Sequence, residues 1–298
     1  MHQHDHNTDS ASRIGWAFLL NVCFTIIEFV GGALTNSTAI MADAIHDLGD
    51  SLSIGLAWVL SKLSDKEADS SYTYGYRRLS LMGALINGLV LIVGSIWVLS
   101  EAIPKLFQPE MPVVEGMLGL AILGVTVNGF AAYKLSHGKT LNEKVLNWHL
   151  LEDVFGWIAV LIVSIILLFF DLPILDPVLS ILFTLFILIN VAKNICSTLR
   201  LFLQASPDKF LSEKLKQKLL SMKHVREVHH LHLWSLDGEH HILTAHLVLN
   251  NDFDNANLGK VKRQIANQLE PYSFAHTTIE IEFHDELCRD RQGKTIKK

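Results

Sequence analysis

Cysteine is scarce. Cys23, Cys196 and Cys288 are the three in 298 residues, they lie far apart, and no C-x-x-C occurs. That leaves no disulfide framework and fits a reducing compartment. An excess of either charge is also lacking: 25 Lys and Arg stand against 30 Asp and Glu, a net of -5 with histidine neutral. No strongly basic face therefore argues for a nucleic-acid partner. The stretch Met1 to Asp9 is polar and His-rich rather than a basic lead into a short apolar core, so no cleavable signal peptide is expected and the first apolar segment remains in the mature chain. Nor do the apolar stretches carry H-E-x-x-H or a Ser/Lys pair. A membrane metalloenzyme would need such a general base beside an open coordination position, so an enzyme is not expected.

Long hydrophobic runs are what the chain has. Half of its residues are hydrophobic and its mean hydropathy is +0.30, with the apolar residues concentrated before about residue 205. Six stretches are near the length of about 20 residues that crosses a hydrocarbon core: 14–34, 39–61, 79–103, 114–135, 146–170 and 175–199. The expected organisation is a His-containing tail (1–13), a six-helix transmembrane domain (14–205) set in the lipid bilayer, and a soluble C-terminal domain (206–298). The links Thr35 to Thr38 and Asp171 to Pro173 contain no Lys or Arg, and Pro104 to Val113 contains only Lys105. The link after the second span has Lys62, Lys66, Arg77 and Arg78, and the one after the fourth has Lys134, Lys139 and Lys144. Positive-inside bias then places both termini in the cytoplasm.

After Ser206-Pro207 the pattern becomes that of a small soluble domain. Phe210, Leu211, Leu215 and Leu219 recur at helical spacing, an extended run covers Val225 to Leu236, and Asp237-Gly238 signals a hairpin into a second strand through Leu249. Leu258, Val261, Ile265 and Leu269 mark another amphipathic helix, and alternation through Thr277, Ile279, Ile281 and Phe283 a third strand. The order α-β-β-α-β predicts a ferredoxin-like α/β sandwich with two helices on one sheet face.

Two copies of His-x-x-x-Asp, His46/Asp50 and His149/Asp153, fall inside stretches that otherwise read as membrane-spanning. Ionisable groups at bilayer depth cost about 3 kcal/mol each on insertion scales, and they persist where they pair or hold an ion. On a helix, i and i+4 share a face, so each motif presents an imidazole and a carboxylate together. Four N/O donors facing one another suit a tetrahedral divalent metal, zinc first; cadmium, cobalt, nickel and iron stay open because N/O affinities overlap. A carrier needs such a site near mid-membrane, exposed alternately to either side. Imidazole must be neutral to ligate, so metal entry displaces protons. A non-transporting metal sensor is the alternative, but it has no evident need for four ligands in the bilayer.

The segments Ala42-Asp43-Ala44-Ile45-His46-Asp47-Leu48-Gly49-Asp50, His149-Leu150-Leu151-Glu152-Asp153 and Tyr74-Gly75-Tyr76-Arg77-Arg78 resemble the cation diffusion facilitator family of zinc exporters, along essentially the whole chain. The resemblance implies a homodimeric Zn2+/H+ antiporter in the bacterial inner membrane, with His46, Asp50, His149 and Asp153 holding the transported ion in each protomer and no organic cofactor. It further implies that imidazoles at His229, His246 and His284, with a carboxylate near Asp285 or Glu286, bind a regulatory zinc at the dimer interface of the soluble domain. Strand alternation cuts against some of the histidines there: neighbours point to opposite faces, so His229 and His230 are not expected in one site.

Other polar positions in the spans are read as structural. Asp43 lies one turn before His46 and Asp47 one turn after Asp43, as groups supporting the ligands or an entry path for the metal. Glu28, Asn21, Asn87 and Asn128 are expected to join helices by hydrogen bonds, and Glu152 to point away from the second motif. Gly31, Gly32, Gly83, Gly88 and Gly129 are expected to permit close helix contact or bending. His2, His4 and His6 could collect metal as a flexible tail.

Overall fold

The computed structural model describes residues 4–64, 66–136, 141–250 and 257–290. His2 lies outside them, as do the side chains of His4 and His6. Six long helices come first: α1 His4–Thr35, α2 Thr38–Ser64, α3 Leu79–Phe107, α4 Val114–Ser136, α5 Leu141–Phe169 and α6 Leu175–Phe202. Five are long and apolar enough to cross a membrane. The exception, α2, carries Asp43, Asp47 and Asp50 in its central turns. By contact, the chain up to Leu63 together with Met82–Ile195 forms one compact unit, and Ser64–Leu81 with the chain from Cys196 onward forms another.

Within the helical unit, two devices fix where α2 begins. Asn36 ends α1 in the left-handed region, at φ 55°, which Asn tolerates better than most residues. Its carboxamide is then fastened from outside: Lys105 Nζ donates to Asn36 Oδ1 at 2.7 Å, and Asn36 Nδ2 donates to Glu110 Oε2 at 3.0 Å. The second device is Asp176 of α6, which is 1% exposed. It accepts from the backbone N–H of Thr38 at 2.7 Å and of Ala39 at 3.3 Å, and from the hydroxyls of Ser37 and Thr38. An α6 side chain thus satisfies the orphan donors at the start of α2, the role an N-cap residue usually plays locally.

Small residues let the helices approach. Leu120 of α4 packs over Gly31, Ile195 of α6 over Gly88, Leu60 over Gly83, and the fully buried Trp157 of α5 over Gly124 of α4. At Gly129 no close contact is made: a Cβ there would meet nothing within 4 Å. Gly124→Val should therefore overpack the Trp157 site and cost about 1–3 kcal/mol, lowering the thermal unfolding midpoint in detergent, whereas Gly129→Ala should leave it unchanged. Of the polar positions, Asn21 and Asn87 do join helices, donating to Ser51 Oγ at 3.2 Å and Ser53 Oγ at 2.7 Å. Glu28, fully buried on α1, lies against Asp47 of α2 and Trp157 of α5, whereas the Asn128 Nδ2 is buried without a bond among the described residues.

In the C-terminal unit the elements are α7 Lys209–Leu220, β1 Val225–Ser235, β2 His241–Leu249, α8 Leu258–Leu269 and β3 His276–Glu282, the expected α-β-β-α-β order. β1 pairs antiparallel with β2, and β3 parallel with β2, so β2 is central. Leu215, Leu219, Val261, Ile265 and Leu269 of the helices close over Val228, Leu233, Leu243, Ala245 and Leu247 of the sheet. The hairpin turns at Asp237-Gly238. Gly238 takes φ 104°, and Asp237 Oδ1 accepts from the N–H groups of Glu239 and His240. The Ser64–Leu81 segment is ordered by Asp69, whose carboxylate accepts from Tyr76 Oη at 2.6 Å and from the N–H groups of Ser71 and Tyr72. The phenol first, then those two amides, hold the Asp69 carboxyl below the usual range.

Candidate metal centre

α2 carries His46 and Asp50 on one face, and α5 carries His149 and Asp153 on another. The fold turns these faces toward each other. His149 Nε2 lies 2.9 Å from Asp50 Oδ2, across the two helices, and His46 Nε2 lies 3.8 Å from Asp153 Oδ1. Within each helix the pairs stand at 3.8 Å (His46 Nδ1 to Asp50 Oδ2) and 3.9 Å (His149 Nε2 to Asp153 Oδ2). The two imidazole rings meet edge to face at 5.6 Å between centroids. Donor atoms of His46, Asp50 and His149 all fall within 4.8 Å of one another, and Asp153 closes the fourth side. Three donors are thus already close enough for one ion of about 2.0–2.2 Å bond length, and Asp153, at 3.8 and 3.9 Å from the two imidazoles, stands next to them as the fourth. Asp153 is 3% exposed and its two oxygens have no hydrogen-bond partner among the described residues, so the carboxylate is spared for a cation.

Behind this set the carboxyl groups of Glu28 on α1 and Asp47 on α2 face each other, with the Trp157 indole beside Glu28. Both are essentially fully buried, at 0% and 1% exposed. Asp47 thus turns toward α1 rather than toward the ligand set. Glu152 is exposed, as its helical phase requires.

The C-terminal unit holds a second cluster, and its membership differs from the expected one. His229 and His246 come together because β1 and β2 pair them directly in register. Glu282 and Cys288 join them, and donor atoms of all four lie within 4.8 Å of one another. His246 Nδ1 is 2.7 Å from Glu282 Oε1 and 3.6 Å from Cys288 Sγ, while His229 Nε2 is 3.1 Å from Glu282 Oε2. Burial would raise the Glu282 carboxyl, but His246, Cys288 and His229 outweigh it and hold it below the ordinary carboxylate range. The structure does not bring His284, Asp285 and Glu286 to this place. His284 and Asp285 are exposed and face each other at 3.7 Å, and Glu286 Oε2 accepts from the N–H of Phe283.

A β-bulge changes the alternation argument. Two residues, His230 and Leu231, oppose Ala245 between the pairs His229/His246 and His232/Thr244, and His230 takes φ 47°. The extra residue swings the His230 ring to 5.1 Å from His246 and 5.2 Å from His229, so neighbouring histidines that strict alternation would separate share one side. Glu282 was legible in principle, since it occupies the polar phase of β3, opposite to Ile279, Ile281 and Phe283. Cys288 was not: it follows the last strand, and only tertiary folding buries it, at 6% exposed. Both ring nitrogens of His229 face carboxylates, Nε2 toward Glu282 at 3.1 Å and Nδ1 toward Glu227 at 3.4 Å, without well-aligned hydrogen bonds among the described residues. A donor set of two imidazoles, a carboxylate and a thiolate fits a structural zinc.

The chain matches two family models: the cation efflux transmembrane domain over residues 16–203 and the cation efflux protein cytoplasmic domain over residues 207–284. It is 28% identical to a cadmium, cobalt and zinc/H(+)-K(+) antiporter of Bacillus subtilis, with 98% of this chain and 97% of that protein covered. It is 30% identical to the zinc transporter ZitB of Pectobacterium atrosepticum, covering 98% and 92%. With the metal cation efflux system protein CzcD of Cupriavidus metallidurans it shares 29% identity over 94% and 89%.

Proposed function

The chain belongs to the cation efflux family, the cation diffusion facilitators, and on that premise we propose that it is a membrane transporter that moves Zn2+ out of the cytoplasm in exchange for protons. The observation that carries this reading is the meeting of two imidazoles and two carboxylates from the middle of α2 and α5, with the 2.9 Å approach of His149 to Asp50 linking the helices. A dication lodged there in a low-dielectric place is neutralised by two carboxylates, and the two imidazoles add borderline nitrogen donors that favour zinc over harder ions. Cadmium and cobalt, which appear in the names of relatives, share that preference. Histidine supplies the exchange: it must shed its proton to ligate, and regaining it weakens the metal's hold.

The protein is an integral membrane protein. We place it in a bacterial plasma membrane with both termini cytoplasmic, because the basic residues gather in the links after the second and fourth spans. The C-terminal unit then lies in the cytoplasm, where a zinc held by His229, His246, Glu282 and Cys288 would brace β1, β2 and the segment after β3. We assign it a regulatory role, in a homodimer whose soluble domains respond to cytoplasmic zinc. Purified full-length protein in proteoliposomes should take up zinc against an imposed proton gradient, and an ionophore that collapses the pH difference should stop it. Uptake indifferent to that collapse would remove proton coupling from this reading.

A further inference from the structure

Beside the four-ligand set lies a cavity of about 240 Å³, whose lining includes Asp43, His46, Asp153, Gly156 and Phe183, and also the exposed Glu152. Its walls are largely apolar, and three of its polar groups are consecutive along one route. His46 and Asp153 belong to the ligand set, one from each helix. Asp43 lies three residues before His46 on α2, about 4.5 Å along the helix axis and one turn nearer the α1–α2 turn. It is 5% exposed, and its Oδ2 has no hydrogen-bond partner among the described residues. On α5 the matching level is Gly156, three residues past Asp153, where a Cβ would stand 3.6 Å from Asp43 Oδ1. The absence of a side chain at 156 is what keeps the space beside the Asp43 carboxylate open.

An unpartnered carboxylate against an apolar cavity is costly unless a cation visits it. The ion that comes within reach is the cargo, one helical turn away. We propose, resting on the transport reading above, that Asp43 is a second station for the exported metal, taking the ion as Asp50 and His149 release it while His46 and Asp153 still hold. With the termini cytoplasmic, both Asp43 and Gly156 lie on the outward side of the ligand set, so the hand-over runs toward release. The route needs no new element, because two of the three donors at the second station already belong to the first.

The test is zinc flux and equilibrium zinc binding measured on the same full-length preparations of wild type, Asp43→Asn and Gly156→Val. Asp43→Asn should lower the maximal transport rate at least ~10-fold, the loss expected for about 1.4 kcal/mol of barrier. Its zinc KM and its intramembrane binding stoichiometry should match wild type, since the first station is intact. Gly156→Val, which leaves every donor in place and fills the cavity, should show the same split. Wild-type flux from Asp43→Asn would overturn the proposal, as would loss of intramembrane zinc binding together with flux, which would make Asp43 part of the first site's framework. Should Asp43→Asn fail to insert, near-wild-type flux from Gly156→Val overturns it alone. A wild-type protein that carries no zinc would instead sink the transport reading itself.

Discussion

Asp153→Ala is expected to abolish zinc flux while leaving the protein inserted, dimeric and at least as stable as wild type. The two halves of that outcome come from one observation. Asp153 is 3% exposed, yet neither oxygen makes a hydrogen bond among the described residues, and its nearest imidazole contacts are at 3.8 and 3.9 Å. Its removal therefore breaks no bond that holds α5 to α2 and deletes a buried charge that costs free energy in the absence of metal. In function the reverse holds. Three remaining donors with a single carboxylate would face a dication in a water-poor place. The loss should exceed the ~10–100-fold typical of groups that merely support a ligand. Flux in proteoliposomes, dimer mass and the thermal midpoint in detergent check the three statements together. Robust flux from correctly inserted Asp153→Ala protein would remove the central site assignment, and with it the mechanism built on these four donors.

Cys288→Ser should alter the C-terminal metal site in a way visible by spectroscopy. Full-length protein loaded with cobalt in place of zinc is expected to show sulfur-to-metal charge transfer from Cys288, and the serine variant should lack it, because a hydroxyl neither ionises readily nor donates as a soft ligand. Glu282→Ala should reduce the zinc bound per chain by one relative to wild type. Neither change touches α2 or α5, so measurable flux should persist in both. His284→Ala, at an exposed histidine 3.7 Å from Asp285, should leave the cobalt spectrum as it was. A spectrum that follows His284 rather than Cys288 would return the site to the set expected from the strand ends.

Much of this protein could be read from its residues. The six long stretches set six long helices, five of them apolar enough to cross a membrane among the described residues, because a bilayer demands internally satisfied backbone over about 20 residues. The matched His-x-x-x-Asp spacing was equally legible, since i and i+4 share a helix face wherever the helix goes. What the sequence alone determined is thus everything governed by local periodicity: the helices, the strands, the hairpin at Asp237-Gly238, and the two faces that carry the candidate metal donors. What only the tertiary structure decided is which faces meet. Asp176 reaches from α6 to cap α2, and no local pattern links residues 138 positions apart. Asp47 turns to Glu28, and Asp43 to the space over Gly156, because the packing of α1 and α5 around α2 gives each aspartate a different neighbour. The bulge at His230 overrides strand alternation, and chain reversal after β3 buries Cys288 against His246. Periodicity fixes the direction of a side chain relative to its own element, whereas a metal site depends on distances between elements, and those are set by packing.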